Sequence, residues 1–188
     1  MPRVLYIVGG PPRVGKSALG QRIMTRRGVP WLSTDILSTV LGTVVREINE
    51  LDCGLNDPVP FAEMMYPFLE RAANAALAQS ATFLVEGVQW LPRHVTRLTV
   101  ALDGVSVRAC FLGHATYSSD DLASYRGVNR WHDAASAEER EGIPRWIRRW
   151  SEDLRAECDG LGQPYLDLGE MGFHGVMAAA EAVLMQDR

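Results

Sequence analysis

Apolar residues are spaced along this chain in two ways. Five short runs read as strands: Val4–Val8, Pro30–Thr34, Thr82–Glu86, Val105–Leu112 and Gln163–Leu168. The first is the clearest. Val4-Leu5-Tyr6-Ile7-Val8 has no polar break and ends at Gly9-Gly10, the pattern of a strand covered on both faces of a parallel sheet. Between the runs the spacing becomes helical. Ala18, Leu19, Ile23 and Met24 share one face of a helix that opens near Lys16 and stops at Gly28. Further helices are predicted over about Asp35–Asn49, Phe61–Gln79, Pro92–Leu102 and Phe173–Met185, with Pro67 bending the second of these unless it starts there. Gly54, Asn56, Asp57, Pro58 and Pro60 make Cys53–Pro60 a loop. Ser118–Asp159, the most charged stretch, reads as two helices hinged at Ala134-Ala135-Ser136. Strands alternating with helices, without internal repeats, predict an α/β chain with an open parallel sheet covered on both faces.

Composition narrows what such a chain does. At 188 residues and 47% apolar it is expected to form one domain over 1–188. A net charge of -4 and no run of arginines longer than two argue against nucleic acid or an anionic membrane as partner. Cys53, Cys110 and Cys158 lie far apart, without the spacing of a zinc site, and read as thiols of a reducing compartment. With no secretory core and no run of eighteen apolar residues, a cytoplasmic protein is expected.

Among nineteen basic residues only Lys16 is a lysine, and its neighbours explain it. Gly10-Pro11-Pro12-Arg13-Val14-Gly15-Lys16-Ser17 fits G-x-x-x-x-G-K-S, the Walker A loop, after a buried strand and at the opening of a helix. Backbone N–H groups of such a loop, together with the positive end of the helix dipole, converge on phosphate. Lys16 is expected to bridge β- and γ-phosphates as a compact charge, and Ser17 to offer its hydroxyl to Mg²⁺. Residues 10–17 and Ala18 are therefore candidate nucleotide contacts. Arg13 either touches phosphate or points to solvent, and its sequence position leaves both open.

The loop does not by itself choose a reaction. A GTPase's N-K-x-D motif is impossible without a second lysine, and Asp159–Gly162 reads as a helix-ending turn. Two carboxylates stand at predicted strand ends, where ligands bind in open α/β sheets: Asp35 after Trp31-Leu32-Ser33-Thr34, and Glu86 after Phe83-Leu84-Val85. Asp35 is the candidate acceptor of a hydroxyl proton, although it could also serve as a helix cap. Glu86 is the candidate for orienting substrate or a magnesium-bound water. His114 and His132 read as structural or surface residues, and Trp146 and Trp150 as a core-facing stripe. Trp90, trailing the third strand, leans toward an acceptor pocket.

GGPPRVGKS, LSTDIL and VEGVQWLP, in this order and spacing, resemble the P-loop kinases of the nucleoside-monophosphate-kinase type. The likeness is greatest to 2-phosphoglycerate kinase and more distant to chloramphenicol phosphotransferase and the zeta-toxin kinases, and it covers residues 3–92 best. The resemblance implies strand order 2-3-1-4-5, ATP with Mg²⁺ as donor, an aspartate near the acceptor, and an arginine-bearing lid, placed here at 114–155. Seven arginines lie between Ser118 and Arg155; Arg126 and Arg130, one turn apart with few acids nearby, are the leading phosphate contacts, and Arg148 is the third. The expectation is a kinase acting on a hydroxyl of a small metabolite or natural product, with ATP or GTP as nucleotide, as monomer or homodimer. The alternatives are a regulatory nucleotide-binding protein or slow ATPase, and a toxin-like kinase acting on a nucleotide-sugar.

Overall fold

The computed structural model of the chain describes residues 3–51, 55–125, 133 and 135–186. Five strands, β1 (Arg3–Gly9), β2 (Trp31–Ser33), β3 (Thr82–Gly87), β4 (Val105–Gly113) and β5 (Tyr165–Asp167), form one sheet. Its order is β2-β3-β1-β4-β5, and every pairing is parallel. β1 sits in the middle, which is why everything in it after the exposed Arg3 is buried and uncharged.

The two-residue period of β1 divides the core. Leu5 and Ile7 face one side, where Val85, Ala109 and Phe111 of the neighbouring strands join α4 (Pro58–Gln79), α5 (Pro92–Ala101) and the later part of α7 (Ala137–Leu161). Val4, Tyr6 and Val8 face the other, with Leu84, Cys110 and Leu112 against α1 (Lys16–Arg27) and α8 (Leu168–Met185). Both faces are dry, the arrangement that parallel sheets require.

Three helix expectations change. The predicted helix over 35–49 is two, α2 (Thr34–Gly42) and α3 (Arg46–Leu51), because the β-branched run Thr43-Val44-Val45 follows a glycine. There the backbone tightens, with Val44 N and Val45 N both donating to Leu41 O. α4 starts at Pro58 rather than Phe61. Asp57 caps it, its Oδ1 accepting from Val59 N at 3.0 Å, and a proline at the first position loses nothing there. Pro67 lies inside this helix and does not end it. The final helix begins at Leu168, earlier than Phe173, and is kinked at Gly172, whose φ is +66°.

Among the described residues the charged stretch holds α6 (Ser119–Ser124) and α7; Ala134 of the expected hinge lies outside them. Ser136 opens α7 with a reciprocal cap, Glu139 N donating to its Oγ at 3.2 Å and Ser136 N donating to Glu139 Oε2 at 2.7 Å. The arginine-rich helix spans two cores: Ile143 and Ile147 pack with Tyr117 and Leu122, whereas Trp150, Leu154 and Cys158 pack on the sheet. Trp146 meets Trp150 edge-on at 5.1 Å, so this pair belongs to the interior. Trp90 does as well: it is 1% exposed within the main core, which corrects its expected place in an acceptor pocket. Among the described residues, no helix is long and apolar enough to cross a membrane.

Candidate active site

The loop after β1 turns through positive φ at Gly10 (+138°), Arg13 (+73°) and Gly15 (+85°). A Cβ at Gly10 would collide with Leu112 O of β4, so only glycine lets the chain pass that strand. Arg13 adopts the left-handed conformation without being glycine, at a cost of roughly 1 kcal/mol. Its guanidinium carbon lies 3.9 Å from the Tyr125 ring centre, so the residue bridges the loop to the segment after β4. Val14 is fully buried in the core, which leaves its backbone to face the loop's concavity. Pro11 is buried and Pro12 half-buried, and the loop is rigid where it must be. Ala18 lies on the outer face of α1, beside Gln21 and Arg22.

Lys16 is 7% exposed, and its Nζ donates to Pro11 O at 2.8 Å, folded back over the loop. Burial pushes its ammonium below the ordinary lysine range, while Glu86 and Asp35 pull it back up. Ser17, in the first turn of α1, donates from Oγ to Glu86 Oε1 at 2.9 Å. Glu86 is 1% exposed at the end of β3, where it pairs in register with Val8 and Ser33. Burial raises its carboxyl above the ordinary glutamate range; Lys16 and hydrogen bonds from Ser17 and Ser33 oppose that rise. Buried Lys16 and Glu86 thus meet the hydroxyls of the exposed Ser17 and the half-buried Ser33. Asp35, by contrast, is exposed at the start of α2, at the rim of this cluster and within electrostatic reach of Lys16 and Glu86.

A hydrogen bond that the sequence did not announce fixes the residue before Asp35. The neighbouring Thr34, fully buried, donates from Oγ1 to Gln89 Oε1, itself 1% exposed. Gly87 lies against this pair, leaving no room for a side chain there. The only sequence signal was position, since Gln89 follows Glu86 by three residues.

On the other side of the loop a cavity of about 680 Å³ is lined by Arg13, Tyr117, Asp121, Tyr125, Gly169, Phe173 and their neighbours, among them His114. Asp167, at the end of β5, fixes its floor. One carboxylate oxygen accepts from Gly169 N at 2.8 Å; the other accepts from Ala115 N at 3.0 Å and from the Tyr165 hydroxyl at 2.8 Å. Burial alone would raise the Asp167 carboxyl, but these bonds and Arg155 hold it below the ordinary range. Tyr117 is buried with its hydroxyl lacking a hydrogen-bond partner among the described residues, and burial pushes that hydroxyl up to about 12. Phe173, 46% exposed, reaches over Gly15 from α8. The sequence pointed to neither aromatic, because they follow different strands, Tyr117 after β4 and Phe173 after β5, more than fifty residues apart.

Of the lid arginines, Arg148 donates to Tyr117 O at 2.7 Å and so braces the cavity wall. Arg149 lies 3.9 Å from Asp153, and Arg155 reaches Glu170 at 2.7 Å. Arg126, Arg130 and His132 lie outside the described residues.

No family model matches the chain, and no curated protein matches it in sequence. Solved structures do. The chain superposes on shikimate kinase from Bacteroides thetaiotaomicron with a TM-score of 0.60, covering 98% of this chain and 99% of that one at 13% identity. It superposes on the tunicamycin resistance protein of Deinococcus radiodurans with a TM-score of 0.51, covering 100% of this chain and 98% of that one at 17% identity. At such identities the likeness shows a shared fold: a five-stranded parallel sheet of order 2-3-1-4-5 with helices on both sides, the fold of P-loop kinases.

Proposed function

We propose that the protein is a kinase that transfers the terminal phosphoryl group of magnesium-bound ATP to a hydroxyl of a small molecule. The observation that carries this reading is the cluster at the carboxyl end of the central strands: a buried lysine folded over a glycine loop, a Ser17–Glu86 hydrogen bond beside it, and an exposed Asp35 at its rim. The fold shared with kinases supports it.

The residues present fit a nucleotide and its metal. Gly10 leaves no space for a Cβ, three positive φ values curve the loop's backbone, and the Lys16 ammonium is hydrogen-bonded to a loop carbonyl, which a phosphate would replace. When bound, ATP supplies the phosphoryl group and magnesium neutralises its charge. The backbone N–H groups of Gly10 and residues 13–17, with Lys16, would hold the phosphates, and Ser17 Oγ, now bonded to Glu86, would serve the metal. Glu86, held by Ser33 and Ser17, keeps that corner polar within an apolar surround. Asp35 takes the proton of the acceptor hydroxyl at its carboxylate as the new O–P bond forms and the bond to the leaving nucleotide breaks. The cavity between Arg13, Tyr125 and Phe173 takes the nucleobase. Lid arginines, Arg126 and Arg130 first among them, close over the transferred group and exclude water.

The test measures acceptor-dependent ADP release with MgATP, with MgGTP as a second donor, over hydroxylated metabolites; the motif resemblance names 2-phosphoglycerate as one acceptor to assay. Asp35→Asn is expected to lower kcat at least 100-fold with ATP affinity by calorimetry within threefold of wild type. Undiminished turnover in that variant removes Asp35 from the mechanism. ATP binding without any acceptor-stimulated release would make the protein a nucleotide-binding protein or slow ATPase, and no affinity for either nucleotide would end the reading altogether.

A further inference from the structure

Resting on the kinase reading, we infer that the base of the donor nucleotide stacks between the Arg13 guanidinium and the Phe173 ring, so that the loop's own arginine grips the base and not the phosphates. The sheet order separates the two tasks. Asp35 and Glu86 stand at the ends of β2 and β3, on one side of β1. The cavity beside the loop is lined from the other side, by Tyr117 and Tyr125 after β4 and by Gly169 and Phe173 after β5. Arg13 belongs to that second side. It lines the cavity, and its guanidinium carbon lies 3.9 Å from the centre of the Tyr125 ring. Its charge is felt accordingly. At the Tyr117 hydroxyl, which burial raises, Arg13 is the strongest of the surrounding charges; at Lys16 it ranks behind burial, Glu86 and Asp35.

The backbone points the same way. Among the described residues Arg13 is the one non-glycine with a positive φ, +73°, a conformation that glycine would adopt without strain. Strain of this kind persists where the surrounding structure holds it, and it collects at ligand clamps. Val14, the next residue, goes into the core, so the loop anchors one side chain inward while its neighbour reaches out to Tyr125.

Phe173 supplies the facing surface. Gly172, with φ +66° and ψ 165°, breaks α8 in a conformation open essentially to glycine alone. The ring that follows packs over Gly15, where a Cβ would stand 2.9 Å from Phe173 Cε2, yet Phe173 keeps 46% of its surface exposed. Bases stack on phenyl rings and on guanidinium planes alike, and a guanidinium stacks on aromatic faces. A cavity of about 680 Å³ is within the range that small ligands fill. With Tyr125 behind it, Arg13 is held as a plate. A base entering there continues the stack from Tyr125 through Arg13 to Phe173.

The experiment titrates the full chain by calorimetry with MgATP and with magnesium tripolyphosphate, which carries phosphates and no base. Arg13→Lys keeps the charge and loses the planar face; Phe173→Leu keeps an apolar contact with Gly15 and loses the ring. Each is expected to weaken MgATP about tenfold and tripolyphosphate by less than about twofold, the latter also showing that the loop is folded. A loss for MgATP below about threefold in either variant, or an equal loss for tripolyphosphate, overturns the inference, since the residue would then serve the phosphates or the fold. NOEs from adenine H2 or H8 to the Phe173 ring in the wild-type MgATP complex are the second readout, and they decide if tripolyphosphate binds too weakly to titrate. Their absence at saturation overturns the inference as well. In each of these cases the kinase reading stands. A wild-type chain that binds neither MgATP nor MgGTP defeats that reading instead, and this inference falls with it.

Discussion

Replacing Gly87 with alanine tests whether the Thr34–Gln89 hydrogen bond aims Asp35. The new methyl would stand inside van der Waals contact of Thr34 Oγ1 and 2.8 Å from both Gln89 Oε1 and Thr34 Cβ. Both partners are buried, so neither side chain can swing into water. Two costs add. Separating the pair strands a buried acceptor, about 1–3 kcal/mol, and forcing a methyl into packed space costs about 1–3 kcal/mol more. A total of about 2–6 kcal/mol, at about 2–4 °C of Tm for each kcal/mol in a chain of this size, predicts a fall in Tm of roughly 4–24 °C. Thr34→Val isolates the first cost: it keeps the shape, loses the donor, and should lose about 1–3 kcal/mol. Urea unfolding followed by circular dichroism reads both. Function gives an independent readout, because Thr34 is bonded in the chain to Asp35, and a displacement of about 1 Å can cost 100-fold in rate. Gly87→Ala should therefore lose turnover far more than ATP affinity, since the nucleotide loop is anchored on the other side, by Gly10 against β4. A stability loss under 1 kcal/mol, or equal losses in turnover and nucleotide affinity, would refute the reasoning.

Acid should unfold the protein earlier than its carboxylates alone require. Folded His94 stays neutral down to about 4, while the unfolded residue charges near 6.5; stability is complete above 6.5 and is lost as pH falls toward 4, by about 2 kcal/mol already at pH 5. His94→Gln, which keeps an acceptor for Leu91 N, should flatten the urea midpoint between pH 6.5 and 5; an unchanged slope would remove His94 as its source. At Arg13, the +73° backbone predicts that Arg13→Gly is more stable than Arg13→Ala by about 1 kcal/mol, since both lose the Tyr125 stacking and only glycine relieves the conformation. Equal unfolding midpoints would contradict it. Tyr117→Phe removes a buried hydroxyl without a partner among the described residues, so it should leave stability unchanged or raise it by up to about 1 kcal/mol, with ATP affinity by calorimetry unaltered. Loss of stability with unaltered affinity would show that the hydroxyl serves the fold.

The loop was legible because its chemistry is local. Glycines at 10 and 15, a lysine at 16 and a serine at 17 act through backbone conformation and immediate neighbours, so one stretch of chain carries the whole signal. Asp35 and Glu86 could be found as strand ends, a rule that needs only the strand boundaries. Trp90 was misjudged because sequence position after a strand does not tell which side of the sheet a ring enters, and the core took it. The helix over 35–49 was misjudged because apolar spacing runs on through Thr43-Val44-Val45, where the backbone tightens and the helix ends.

The sequence by itself determined the order of strands and helices, the buried central strand and the glycine turn before α1, because each is written in neighbouring residues and in periodicity. Only the tertiary structure decided what stands across space: that Ser17 bonds Glu86 sixty-nine positions away, that Arg13 stacks on Tyr125, that Thr34 meets Gln89, and that the arginines of α5 are already matched by acids from α4 and α7. Those pairings follow from the sheet order 2-3-1-4-5, which brings distant segments to one edge, and no local pattern encodes a contact between residues that only the packed fold makes neighbours.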